Sequence, residues 1–283
     1  MNKIGTGVVL FNPNIKRLEK NISSLLKQSS LVLLVDNGSE NIDLVKNIYC
    51  ENKKIFIIEL NQNKGIATAL NVIMNFFADH NYDWVLTFDQ DSLPPENLLE
   101  SYIPYLSVDH VGIISPVIWD LSENFEDTVH GNSNYDDIKN CITSGSLTKV
   151  SVWKTVGEYD DSMFIDLVDF DFCQRVILNK YRIIRVNKAI LRQEIGNTKQ
   201  IVILGRRIPV DNHSSFRKYY QARNQIYFQK KYGQLSNINT SRELFKLIFK
   251  TIMFEHSKIK KLISIRKGIR DGKQLTVQQW KSF

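Results

Sequence analysis

The sequence predicts an α/β fold, with a mostly parallel central sheet covered by helices on both faces. Three observations predict it. Short apolar runs alternate with amphipathic segments from the start of the chain, the runs are too short for buried helices, and each ends in a polar cluster. Short buried strands joined by helices pair in parallel, because each crossover returns the chain to the same end of the sheet.

The elements follow in order. Residues 5–11 read as a strand, 15–27 as a helix, 31–35 as a strand, 42–49 as a helix and 55–60 as a strand, which is a βαβαβ unit. Residues 66–78 form a helix in which Ala67, Leu70, Met74 and Phe77 make one stripe at three- and four-residue spacing, and residues 84–88 form the next strand. Beyond Asp91 the regularity loosens. Residues 98–106 read as helical, 111–118 as extended and 122–140 as a long polar loop. From Arg217 the pattern is helical again, with Tyr219, Tyr220, Ile226 and Tyr227 interleaved with cations.

A chain of 283 residues buries a full core as one domain with an appendage. Residues 1–215 are expected to form the α/β body, in two parts of about 1–92 and about 93–215. Residues 216–283 form a helical, basic, amphipathic extension. The formal charge of +7 resides entirely in residues 242–270, where nine cations face only Glu243 and Glu255. A basic surface therefore belongs to the tail and not to the body. There Leu244, Phe245, Ile248 and Ile252, then Ile259, Leu262 and Ile263, line one side of a helical pattern, with cations on the other. Such a segment either lies on an anionic membrane surface or packs on the body.

Cys50, Cys141 and Cys173 are odd in number and have neither CxxC nor Cys/His ligand spacing, so neither a disulfide framework nor a zinc site is indicated, and a reducing compartment is the natural reading. The start of the chain lacks the pattern of a signal peptide, and no apolar stretch approaches the roughly 18 residues of a membrane span. A cytoplasmic protein, peripheral on the inner face of the membrane if the tail binds there, is the expectation.

In an α/β sheet, ligands bind beyond the carboxyl ends of the strands. Asn12-Pro13, Asp36-Asn37-Gly38-Ser39, the loop 61–65 and Asp89-Gln90-Asp91 all fall there. Asp89 and Asp91, two apart on a turn, can aim at one divalent cation held against a diphosphate, or they can belong to a polar turn in which Asp91 or Ser92 caps the following helix. Asp36 suits the imide N–H of a uracil or thymine ring, and reads equally as a turn residue. Lys64-Gly65 opens a helix whose free N–H groups suit a phosphate, or solvent. In the apolar segment 164–175, Asp171 can pair with Arg175 one helical turn on, whereas Asp169 has no such partner. A partly desolvated carboxylate gains proton affinity and can act as a base; the alternative is that Asp169 merely caps a helix.

These loops, in this order, resemble glycosyltransferase family 2, the inverting enzymes of GT-A nucleotide-diphospho-sugar fold. The resemblance covers most of residues 4–230 and rests on Val8-Val9-Leu10-Phe11-Asn12-Pro13, Asp36-Asn37-Gly38-Ser39, Asn63-Lys64-Gly65, Asp89-Gln90-Asp91-Ser92, Thr143-Ser144-Gly145-Ser146 and the Asp169 segment. Residues 164–175, Glu194-Ile195-Gly196-Asn197 and residues 213–224 look most like bacterial rhamnosyltransferases. The resemblance implies Asp169 as the catalytic base. It implies nucleotide-sugar contacts at Phe11, Asn12, Asp36, Asn37, Lys64, Gly65, Asp89, Gln90, Arg217 and Arg223. Acceptor contacts fall to Ser144, Gly145 and Asp166, and Mg²⁺ or Mn²⁺ to Asp89, Asp91 and His213. The chain departs from the pattern at Gln193, where relatives often have a metal-binding histidine.

The implied reaction moves a sugar, L-rhamnose from dTDP-rhamnose in the leading reading, onto a lipid-linked or oligosaccharide acceptor in surface polysaccharide assembly. A UDP-sugar donor (galactofuranose, glucose or galactose) is the alternative. Further readings are a sugar-phosphate nucleotidyltransferase of similar fold, and a tail that binds nucleic acid, against which the absence of an RNA-binding motif counts. A homodimer through the aromatic helix and the tail is a further expectation.

Overall fold

The computed structural model describes residues 2–120, 125–126, 133–193, 199–203, 206–210, 212–236 and 238–277; of 120, 125, 126, 193, 199–203 and 206–210 it describes the backbone alone. The strands are β1 (Ile4–Leu10), β2 (Val32–Asp36), β3 (Ile55–Glu59), β4 (Trp84–Asp89), β5 (Val111–Asp120), β6 (Phe125–Glu126), β7 (Tyr135–Asp137), β8 (Ser146–Lys149), β9 (Arg182–Gln193), β10 (Lys199–Ile203) and β11 (Arg206–Val210). The helices are α1 (Ile15–Gln28), α2 (Ile42–Tyr49), α3 (Ile66–Asp79), α4 (Leu98–Tyr102), α5 (Val150–Val156), α6 (Val168–Leu178), α7 (Ser215–Tyr232), α8 (Thr240–Phe254) and α9 (Lys258–Gln274).

The central sheet runs in the order β3-β2-β1-β4-β8-β5-β9-β7, with β6 added to β5. The four N-terminal strands are parallel, so their carboxyl ends emerge on one edge. Beyond β4 the sheet is mixed: β8 runs antiparallel to both β4 and β5, while β5 and β9 pair in parallel. The expectation of parallel pairing thus describes β1 to β4 more closely than the rest of the sheet. The polar stretch 122–140 carries two short strands, β6 and β7, among its described residues.

Period-two alternation sends successive strand residues to opposite faces. Val9, Leu33 and Val35 meet α3, α5, α6 and α7, whereas Val8, Leu10 and Leu34 meet α1, α2 and α4. The predicted stripe Ala67, Leu70, Met74 and Phe77 is buried against the first face.

The connection from β8 back to the sheet edge passes through α5 and a tight loop before α6. In that loop Phe164, Asp166 and Leu167 all have positive φ, at 64°, 67° and 64°. Each costs about 1–3 kcal/mol for a residue with a side chain, so the surroundings must hold the conformation. They do so through Asn224, whose buried amide donates to the carbonyls of Met163, Ile165 and Asp166 at 2.7–2.8 Å. Arg223 adds donations to the carbonyls of Ser162 and Met163.

Behind α6 lies a buried ionic network. Asp171 pairs with Arg175 at 2.9 Å, as the spacing predicts, and Lys231 from α7 joins Asp171 at 2.6 Å and Asp160 at 2.8 Å. Further on, α9 packs along α7. Gly268 and Gly272 permit this, because a Cβ on either would collide with the α7 backbone carbonyls of Tyr219 and Arg223. Lys218 and Lys261 share the buried carboxylate of Glu255 at 2.5 and 2.9 Å. No helix among the described residues is long and apolar enough to cross a membrane.

Candidate active site

The site is built on the edge where β1, β2, β3 and β4 end. At the end of β4, Asp89 and Asp91 flank a turn whose backbone is tied down from three sides. The buried Asn21 of α1 donates to the carbonyls of Asp89 and Ser92 at 3.1 and 2.6 Å, Arg17 donates to the carbonyl of Asp91 at 2.9 Å, and Ser144 Oγ accepts the Asp89 N–H at 3.2 Å. Both aspartate side chains are half-buried. Gln90 turns back onto β1, where its side-chain amide accepts from the Phe11 N–H at 2.8 Å and donates to the Phe11 carbonyl at 3.1 Å, extending the ladder. Phe11 itself is exposed.

The neighbouring loops lock together. Asp36 is buried, and its carboxylate accepts the N–H groups of Gly38 and Ser39, both at 3.0 Å, closing the turn after β2. Asn37 accepts from the Lys64 N–H at 2.8 Å and donates to Asn63, which in turn accepts the Gly65 N–H. Asn12 Oδ1 accepts the Glu40 N–H, and the Asn12 backbone N–H donates to Ser39 Oγ at 2.8 Å. The first helical N–H of α3, on Ile66, is taken by the carbonyl of Phe164 at 2.7 Å. The start of α3 therefore meets the loop ahead of α6, and the N–H groups of residues 64–66 are satisfied within the protein. Gly65, at φ 87°, makes this approach feasible, since a Cβ there would sit 2.6 Å from the Phe164 carbonyl oxygen. The Lys64 side chain remains exposed.

Across the edge stands Asp169, the second residue of α6. It lines a small cavity with Thr143, Ser146, Tyr159, Phe172 and Cys173, and its Oδ1 accepts the Phe170 N–H at 2.9 Å. Burial among these groups pushes its carboxyl up to about 7; backbone N–H bonds work against the rise, and the charges of Asp166 and Asp89 add to it. An acid half-ionised near neutrality is suited to take up a proton.

The remaining expected residues lie around this edge in different roles. Asp166 forms a forked pair with Arg217 from the first turn of α7, at 3.1–3.3 Å. Arg223 serves the carbonyls of Ser162 and Met163 and lies over the Tyr220 ring at 4.5 Å, so in this conformation it braces the α6 loop. Ser144 and Gly145 are buried under the Asp89 turn: Ser144 Oγ contacts Ser92 Oγ at 2.6 Å, and the Gly145 N–H donates to Thr87 at 2.7 Å. His213 is half-buried two residues ahead of α7. Among the described residues no three His, Cys, Asp or Glu side chains gather as metal ligands, so Asp89, Asp91 and His213 are not drawn into one set. The side chain of Gln193 and residues 194–197 lie outside the described residues.

Residues 7–165 match the model of glycosyl transferase family 2. The chain belongs to that family. It is 27% identical over 267 residues to the dTDP-rhamnosyl transferase RfbF of Shigella flexneri, an alignment covering 89% of this chain and 88% of that protein. Among solved structures it resembles GalNAc-T7 with UDP, GalNAc and Mn²⁺, with a TM-score of 0.64 and 12% identity over 96% of this chain, which spans 55% of that one. It also resembles S. aureus TarS residues 1–349, with a TM-score of 0.57 and 12% identity over 95% of this chain and 80% of that one. These two show the fold, which is that of GT-A glycosyltransferases. These similarities support sugar transfer, the first of the two enzyme readings of the sequence.

Two contributors to this glycosyltransferase's site escape a reading of its sequence. Asn21 anchors the Asp89 turn, and its signal is a polar residue within the buried stripe Leu18, Asn21, Ile22, Leu25 of α1. Asn224 secures the α6 loop and is likewise a buried amide on a helix.

Proposed function

We propose that this glycosyltransferase moves L-rhamnose from dTDP-rhamnose to a hydroxyl of a lipid-linked or oligosaccharide acceptor in bacterial surface polysaccharide assembly, inverting the anomeric centre. The similarity to RfbF along nearly nine-tenths of the chain is the observation that carries the donor. In this reading Asp169 receives the acceptor proton as the hydroxyl oxygen attacks the anomeric carbon from the face opposite the diphosphate. Its raised proton affinity, to about 7, supports that role. Asp36, Asn37, Phe11 and Asn12 contribute the nucleotide side, Lys64 and Arg217 offer positive charge to the diphosphate, and Asp166 faces the acceptor. Ser144 acts from beneath by fixing the Asp89 turn, and Gly145 donates to Thr87 of β4.

Mg²⁺ or Mn²⁺ fits the residues present. Asp89 and Asp91, half-buried on one turn at the end of β4, supply the hard oxygen donors these ions prefer. When bound, the ion would neutralise the charge that collects on the departing diphosphate. Attachment at the membrane surface would bring the enzyme to a lipid-linked acceptor.

A UDP-sugar donor is the second reading, favoured by the UDP in the GalNAc-T7 structure and the UDP-GlcNAc bound by TarS. A thermal-shift panel of nucleotide sugars, with and without Mg²⁺ or Mn²⁺, separates the two. A ligand at a hundred times its Kd stabilises by about 2.7 kcal/mol, so dTDP-rhamnose is expected to give the largest rise. A larger rise with a UDP-hexose would move the donor assignment, and none with any nucleotide sugar would overturn the reading.

A further inference from the structure

The helical tail presents an apolar face that the body leaves uncovered. Of the residues of α8, only Thr240 and Thr251 are buried. Its large side chains point outward: Phe245 is 70% exposed, Phe249 45%, Ile252 46% and Met253 51%. Their spacing puts all four on one stripe of the helix. A short turn later, Ile259 and Ile263 at the start of α9 are 78% and 64% exposed. Scattered apolar residues on a surface are ordinary, but an ordered run of six on consecutive helices marks a place of contact.

Charge indicates what makes that contact. Both acidic residues among the nine cations of residues 242–270 are already engaged. Glu255 is buried between Lys218 and Lys261, and Glu243 pairs with Lys246 at 2.6 Å. Lys258, Lys260, Arg266 and Lys267 stand exposed around the apolar residues of α9. Since α9 is fixed to α7 by its opposite side, through Lys261, Ile265, Gly268 and Gly272, this face has a set orientation on the body. A second copy of the chain would bring the same cations against themselves across a two-fold axis. A surface of anionic headgroups over acyl chains satisfies both features at once.

We propose that α8 and the first turns of α9 form a docking face for an anionic lipid bilayer, with Phe245, Phe249, Ile259 and Ile263 entering the headgroup boundary and the flanking lysines and arginines meeting lipid phosphates. The face rests on the exposure and charge of the tail and is independent of the active-site assignment.

The test uses the full chain in co-sedimentation with phosphatidylcholine vesicles, with and without phosphatidylglycerol. The protein is expected to pellet with the phosphatidylglycerol vesicles and to be released by salt. The triple variant Phe245→Ser, Ile259→Ser, Ile263→Ser keeps every charge and alters only exposed side chains; it is expected to bind at least about tenfold more weakly, with its melting temperature and nucleotide-sugar thermal shift unchanged. Equal binding by the variant, or no binding by the unaltered chain, would overturn the proposal. So would a dimer in solution that the triple variant converts to monomer, because a second copy would then be what covers the face.

Discussion

Replacing Asp169 by Asn should yield a protein that is more stable above neutral pH and strongly impaired in sugar transfer. In the fold, burial and neighbouring acids raise the Asp169 carboxyl from 3.8 to about 7. Between those values the folded chain holds a proton that the unfolded chain has released, so stability falls as pH rises through this window and levels off above it. A shift of roughly 3 pH units corresponds to about 4 kcal/mol. The side chain is only half-buried, and solvent screening reduces the expected effect to about 2 kcal/mol. Asparagine keeps an oxygen to accept the Phe170 N–H and carries no charge at any pH. Urea unfolding of both proteins from about pH 4 to pH 8 reads the difference directly. The variant's advantage should be near zero at the acid end and grow to about 2 kcal/mol by pH 8. Parallel curves across that range, or a variant less stable at pH 8, would refute the argument that Asp169 is a strained, proton-seeking acid.

Further outcomes follow from the same geometry. The kcat/KM of the free enzyme should rise with pH through about 7 as Asp169 ionises, and Asp166→Asn, which removes one of the charges raising that group, should move this limb to lower pH. Gly65→Ala should cost more than about 1 kcal/mol in urea unfolding, because the residue has φ 87° and its Cβ would press on the Phe164 backbone. Lys231→Met should cost about 3 kcal/mol by the same assay, since it strips a buried ammonium from Asp160 and Asp171.

The sequence displays the first half of the fold because each element there has one dominant period. α2 spans Ile42–Tyr49 as its amphipathic pattern predicts, and β1 to β4 fall within a residue of the apolar runs that announce them. Later strands are quieter. β8 is the short polar Ser146–Lys149, and β9 mixes cations into an apolar run because it lies between β5 and the small strand β7. At the site, the apolar setting of Asp169 is legible from its neighbours in sequence, whereas the pull of Asp89 arises from residues eighty positions apart and requires the fold. The parts of Asn21, Asn224 and Arg223 are hidden for another reason. Their partners are backbone carbonyls, which carry no signature in a sequence. The same holds for Gln90, which lies inside a recognisable acidic triplet yet spends its amide on the backbone of Phe11.

The most direct test of the account is single-turnover transfer by Asp169→Asn saturated with dTDP-rhamnose, so that donor binding no longer enters the rate. With the base removed and the loops of the nucleotide side intact, transfer should fall by about 10²–10⁴-fold while the donor stays bound. Transfer at the unaltered rate would show that another group takes the acceptor proton, and the roles assigned around the rim would have to be redrawn.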